Sequence, residues 1–126
     1  MIIQQRPPLH LTYCLNIHPG ESWADNFTAL QEKVTAVKRW VGPDAWFGAG
    51  LRLAHQAAEE LTASAERRAE ALEFFSANQI YPFSINGFPY GRFHNKPVKE
   101  NVYAPDWRAP ERLHYTLQLA DLLAGW

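Results

Sequence analysis

The chain of 126 residues holds a single cysteine, Cys14. One thiol cannot build an internal disulfide framework, and such sparing use fits a reducing compartment, so the cytoplasm is the expected location. A surplus of one charge is also missing. Formal net charge is -1, and the lysines and arginines are scattered with no basic run. That excludes an electrostatic footprint for nucleic acid or for an anionic membrane. No apolar run approaches the ~20 residues that span a bilayer, which excludes direct membrane insertion. Met1 to Pro8 has no apolar stretch after a basic start and so does not read as a signal peptide. Short repeats and low-complexity tracts are absent, and so are a Gly-rich phosphate loop, a CxxC pair, an HExxH string and a GxSxG string.

What is present is an ordinary globular composition, 47% hydrophobic and 20% charged, with length for one domain over residues 1–126. One pattern occurs three times: an apolar run, a polar loop, then an amphipathic helix. The first run, Leu9 to Leu15, is apolar at both parities, as in a strand buried on two faces. Pro19-Gly20 breaks it, and Ser22 with Asp25 three residues on predicts a capped helix start. Trp23, Phe27, Leu30, Val34, Val37 and Val41 follow at spacings of 4, 3, 4, 3 and 4, one face of a long helix that Gly42-Pro43 ends.

The second unit has a strand core over Trp46 to Leu51, a short helical turn over His55 to Leu61, and a helix over about Ala65 to Ala77. That helix is expected to bury Ala69, Leu72 and either Phe74 or Phe75, with Asn78 at its C-terminal cap. The third unit opens with a strand over Ile80 to Ile85. Pro82 is tolerable there if the strand is still unpaired. A long loop, Asn86 to about Ala109, carries five aromatic residues and three prolines. Pro110 suits the first position of the last helix, whose apolar face is expected at Leu113, Leu117, Ala120 and Ala124, with Thr116 as its one polar member and Gly125 closing it.

Alternating strands and helices predict parallel strands joined by crossovers, an α/β fold. A doubly wound domain needs about five strands in this length, and a closed (β/α)₈ barrel needs eight units and about 250 residues. Three units therefore predict a partial (β/α)₈ TIM barrel. Its open strand edges predict a weakly stable chain or self-association through those edges.

Residues at the C-terminal ends of barrel strands face the active site. They are Asn16, His18 and Glu21 after the first strand, Arg52 after the second, and the Asn86 to His94 loop after the third. His18 and Glu21 suit an acid–base or ligand pair, or else Asn16 and His18 fix the loop while Glu21 favours the positive end of the following helix. Arg52 suits a bidentate clamp on a phosphate or carboxylate, or a structural ion pair. In the third loop Phe88, Tyr90 and Phe93 offer flat apolar faces and Arg92 and His94 offer charge. Such a loop suits a lid over a small aromatic or sugar metabolite, with burial of its own aromatics against the rim as the competing role. Cys14 reads as a small buried hydrophobe. His55 and His114 read as packing or surface residues, His10 has no assigned role, and Glu59, Glu60, Glu66 and Glu70 read as solvated helix charges.

Two longer strings carry a resemblance. One is Leu11-Thr-Tyr-Cys-Leu-Asn-Ile-His-Pro-Gly-Glu-Ser-Trp23. The other runs from Ser84-Ile-Asn-Gly-Phe-Pro-Tyr-Gly-Arg-Phe-His94 through Arg108 and on to the Arg112-Leu helix. With Gly50-Leu-Arg-Leu53 they resemble the metabolite-traffic protein EboE family of the xylose-isomerase-like TIM-barrel superfamily, over the first part of the family's length. The resemblance implies a sugar-isomerase- or epimerase-like barrel that handles a small metabolite or processes it in step with transport. The alternative it leaves is a non-catalytic metabolite-binding module working with membrane components. It also implies that a divalent metal, if one is used, is held mainly by strands beyond Trp126, so that residues 1–126 alone are inactive. Relatives that repair DNA place a histidine at the end of the third strand. Asn86 stands there, which counts against a nuclease.

Overall fold

The computed structural model describes residues 1–92, 94 and 102–126. Phe93 lies outside them.

The first apolar run serves two partners. Leu9 and His10 belong to an antiparallel hairpin of β1 (Ile2–Gln5) and β2 (Pro8–His10), with Ile2 opposite His10. Only β3 (Thr12–Cys14) continues into a parallel pairing with β4 (Phe47–Arg52). At the junction the Met1 ammonium donates to the Leu11 carbonyl at 2.6 Å, and Leu11 N donates to the Met1 carbonyl at 2.7 Å. The expected strand over Leu9 to Leu15 is thus split, and its first half turns away from the parallel sheet.

β5 (Ile80–Asn86) pairs in parallel on the other side of β4, giving the order β3-β4-β5. The result is a mixed α/β fold, a three-stranded parallel sheet beside a two-stranded antiparallel one, with no barrel closure among the described residues. β4 is the middle strand and is buried along its whole length. Its glycines are needed there: a Cβ on Gly48 would stand 2.8 Å from Thr12 Cγ2 and 3.0 Å from the Leu11 carbonyl. Pro82 sits in the edge strand, where Phe83 bulges out between the Ala49–Pro82 and Gly50–Ser84 pairs.

Helices cover one face of this sheet. Ser22 and Asp25 form the capping box that starts α1 (Trp23–Ala29). A π-helical turn (Leu30–Val34) then leads into α2 (Thr35–Val41). The wider turn shifts the buried stripe onto Val34, Thr35 and Lys38, which leaves Val41 exposed although it continues the 3–4 spacing. α3 (His55–Thr62) and α4 (Ala65–Ala77) follow β4, and α5 (Pro110–Gly125) follows β5. Trp23, Leu30, Leu51, Leu61, Phe75 and Ile80 meet in one core.

Two helix faces differ from the spacing-based expectation. α4 buries Ala71 and Phe75, while Ala69 and Leu72 are exposed. Aromatic area decides the rotation: Phe75 packs edge-on against Trp126 at 5.4 Å and Phe74 against Phe27 at 5.3 Å. α5 buries Arg112, Tyr115, Leu119 and Leu122 and turns Leu113, Leu117, Ala120 and Ala124 outward. Its anchor is Tyr115, whose hydroxyl donates to the Leu53 carbonyl. Cys14 is exposed rather than buried. Tyr13 packs on the core, so strand alternation turns Cys14 to the sheet face that the helices leave uncovered. No helix among the described residues is long and apolar enough to cross a membrane.

Candidate functional site

Pro19-Gly20 turns the chain sharply after β3. Gly20 has φ +132°, and a Cβ there would collide with Asp25 Cβ at 2.4 Å, so this turn requires glycine. The turn brings the segment after β3 over the end of β4. Arg52, the last residue of β4, is 1% exposed. Its Nη2 donates to the Gly20 carbonyl and, at 3.4 Å, to the His18 carbonyl. Its Nη1 stands 3.7 Å from Glu21 Oε2, near enough for ion pairing and too far for a hydrogen bond. Glu21 therefore pairs with Arg52 instead of facing the N-terminus of α1. That terminus is served by Asp25 and by Glu60, whose carboxylate accepts from Trp23 N at 2.8 Å. Glu60 is thus a capping group and not a merely solvated charge.

His18 Nε2 lies 2.9 Å from the Tyr13 hydroxyl. Burial, then the nearby charges of Lys33 and His94, hold its pKa below the ordinary 6.5. His94 Nε2 donates to the Asn16 carbonyl at 2.7 Å, which ties the third loop to the first. Asn86 pairs with Arg52 across the sheet, and its Oδ1 accepts from Phe88 N at 3.1 Å. Asn16, His18, Glu21, Arg52, Asn86 and His94 are thus gathered at the C-terminal ends of the strands.

Phe88 and Tyr90 lie apart from that group. Tyr90 is stacked on His55 at 4.3 Å and meets Tyr115 edge-on at 5.3 Å, so it fills the space between α3 and α5. Burial raises its hydroxyl pKa, and Glu59 and Glu111 add to the rise. Phe88 contacts Tyr103 at 5.3 Å and borders a groove beside α5. Arg92 is exposed and makes no hydrogen bond or ion pair among the described residues. The competing role of the third loop, burial of its own aromatics, fits Tyr90.

Arg112 was not singled out by its position at a strand end, since it lies on α5. It is buried, and its guanidinium donates to Pro105 O at 2.7 Å, to Gly87 O at 2.9 Å and to Phe88 O at 3.3 Å. It also stands 5.7 Å from the Tyr90 ring centre and 5.6 Å from that of Tyr115. Arg112 thereby holds the third loop on α5. Burial raises the Tyr115 hydroxyl pKa to about 12, so it stays a donor. Tyr13 is the other missed residue, because it sits inside a strand rather than after it.

A divalent metal fits this arrangement poorly. His18 Nε2 is engaged by Tyr13 and Glu21 by Arg52, so the two do not converge. No group of three His, Cys, Asp or Glu side chains that could hold a metal occurs among the described residues.

Set against known protein families, curated proteins and solved structures, the chain has no match.

Proposed function

We propose that residues 1–126 form the opening strand–helix units of a xylose-isomerase-like barrel of the EboE kind, cytoplasmic, and that their strand ends bind a small hydroxyl-bearing metabolite. The strand order β3-β4-β5 supports the barrel: each new parallel strand joins the outer edge after a helix, with no reversal of order. The observation that carries the binding site is a set of four buried polar atoms with no hydrogen-bond partner among the described residues: Asn16 Oδ1, Arg52 Nε, and the ion-paired Glu21 Oε2 and Arg52 Nη1, which stand 3.7 Å apart. Buried polar groups are nearly always satisfied. Two of these are donors and two are acceptors, one carrying negative charge. A hydroxyl both donates and accepts, so a polyol or sugar matches them, whereas a phosphate would face Glu21.

Binding is favoured over catalysis by these residues, because His18 is engaged by the Tyr13 hydroxyl and the Glu21 carboxylate is held beside the Arg52 guanidinium, which favours its charged form over proton transfer. In a complete isomerase- or epimerase-like barrel they would hold the substrate while other strands supply the chemistry. The test is a titration of the isotope-labelled chain with xylitol and with inorganic phosphate, read by nuclear magnetic resonance. Saturable shifts at Arg52 Nε–H and the Asn16 side chain with xylitol, lost in Asn16→Ala, are expected. Shifts with phosphate alone, or with neither probe, defeat the proposal.

A further inference from the structure

Two glycines of β4 stand on the sheet face that the helices leave uncovered, and the fold requires only one of them. Phe47, Ala49 and Leu51 face the core, so strand alternation puts Gly48, Gly50 and Arg52 on the opposite face. At Gly48 a Cβ would stand 2.8 Å from Thr12 Cγ2 and 3.0 Å from the Met1 nitrogen, so that step of the face is already filled. At Gly50 the nearest atoms to a Cβ would be Ser84 Oγ at 3.4 Å, then Thr12 Oγ1 and the Tyr13 carbonyl at 3.7 Å. Those are ordinary van der Waals contacts, and the backbone there is regular strand, so the fold would accept alanine. A glycine inside a strand weakens it and often marks a place where a ligand comes close. The Thr12 and Ser84 hydroxyls that flank it make no hydrogen bond among the described residues. Ser84 and Cys14, the partners of Gly50 on the two neighbouring strands, are both exposed. Two residues further along the same face is Arg52, 1% exposed, and its Nε, the guanidinium nitrogen nearest the strand, has no hydrogen-bond partner among the described residues.

We propose that Gly50 is the floor of the metabolite site: one end of the polyol is held by Arg52 and Asn16, and the other lies over Gly50 between Thr12 and Ser84, whose hydroxyls bond it. This rests on the reading that the strand ends bind a hydroxyl-bearing metabolite, and it adds the residues that set what fits there. Arg52 and Gly50 are separated by two strand residues, about 7 Å, which one molecule of xylitol can bridge. A hydroxyl side chain can donate to one ligand hydroxyl and accept from another, so Thr12 and Ser84 suit a polyol at the lower end as the Arg52 Nε–H and Asn16 Oδ1 suit it at the upper. The missing side chain at position 50 is what leaves room for the ligand to settle between them. A methyl group there would lift the ligand away from both hydroxyls without disturbing the sheet.

Xylitol titrations of the isotope-labelled chain, read at the Arg52 Nε–H by nuclear magnetic resonance, test it. Gly50→Ala should raise Kd at least about 10-fold while Tm stays the same or rises, because alanine favours the strand. Thr12→Val and Ser84→Ala, which each remove one hydroxyl, should raise Kd about 5-fold. Gly125→Ala, where a Cβ would meet nothing within 4 Å, should leave it unchanged. Wild-type binding with an unchanged Kd in Gly50→Ala overturns this inference and leaves the strand-end reading standing; that is the result if the space over Gly50 serves only to receive other side chains. Loss of binding together with a fallen Tm in Gly50→Ala, with Thr12→Val and Ser84→Ala both binding like the wild type, also overturns it. No saturable shift in the wild type overturns both the inference and the reading beneath it.

Discussion

Arg112→Met removes the clamp between the third loop and α5 while keeping most of the aliphatic bulk. The wild-type guanidinium makes two short bonds, to Pro105 O at 2.7 Å and Gly87 O at 2.9 Å, and two longer ones to Phe88 O at 3.3 and 3.4 Å. A hydrogen bond from a charged donor contributes roughly 1.5–3 kcal/mol net, and the long pair contributes less. The contacts with Tyr90 and Tyr115 add about 0.5–1 kcal/mol each. Against this, Gly87 and Pro105 are only half-buried and Phe88 is exposed, so water can reach their freed carbonyls. About 3 kcal/mol is the expected loss. At about 4 °C per kcal/mol for a chain of this size, Tm should fall by about 12 °C.

Thermal melts by circular dichroism measure that shift, and hydrogen exchange at the amides of residues 87–90 should quicken with it. Arg112→Lys keeps the charge but replaces a planar fork by one compact ammonium, so it should recover about half of the loss. A fall of less than about 3 °C for Arg112→Met would refute the clamp. Equal losses for Met and Lys, with exchange at residues 87–90 unchanged, would place the effect in packing instead.

Two further outcomes follow from titrating groups near the helix starts. His18 has a folded pKa below its ordinary 6.5, because burial and the charges of Lys33 and His94 disfavour the imidazolium. The unfolded chain therefore takes up a proton first, and stability should decline as pH falls from 6.5 toward the folded pKa and level off below it. His18→Gln should remove that decline, and an imidazole midpoint at or above 6.5 by nuclear magnetic resonance would contradict the placement. Ser22→Ala breaks the capping box and should cost about 1 kcal/mol. It should also raise the Asp25 pKa, which bonds to the Ser22 hydroxyl and backbone now hold below 3.8. The contribution of Asp25 is present above that value and is lost as pH falls through the folded pKa, so the variant should show a flatter acid limb; an unchanged Asp25 midpoint would refute the assignment.

Local signals were legible in the sequence wherever one residue type dictates one backbone choice. Ser22 with Asp25, Pro110 at the first turn of α5 and the Asn78 cap are each observed where propensity puts them. Helix faces were less legible. Spacing alone picked Leu113, Leu117, Ala120 and Ala124 on α5, because leucine and alanine positions recur there at 4, 3 and 4. Tyr115 and Arg112 outweigh them, and neither counts as apolar in a periodicity. A phenol that reaches Leu53 and a guanidinium that reaches three carbonyls both gain from being inside, and only the tertiary partners show it. The split of the run from Leu9 to Leu15 was hidden for a similar reason: both halves are strand-forming, and the partner of the first half is the residue stretch Ile2–Gln5.

The strand-end group shows how far position along a strand can go. Placing Asn16, His18, Glu21, Arg52, Asn86 and His94 after strands was enough to gather them, since parallel strands share one end. Which of them stays free for a ligand depended on pairings that cross the chain. Glu21 met Arg52 across 31 residues, and His94 met Asn16 across 78. These pairings turn most of the group into a frame, and they concentrate the remaining hydrogen-bonding capacity on Arg52, Asn16 and Glu21. A frame of this kind explains why His18 and His94 are better placed to hold the two loops together than to move protons. If the proposed site is right, a change at Arg52 should affect both loop geometry and ligand binding. Arg52→Lys would keep a charge beside Glu21 yet lose the planar fork that spans the carbonyls of residues 18 and 20 and the two open positions at once.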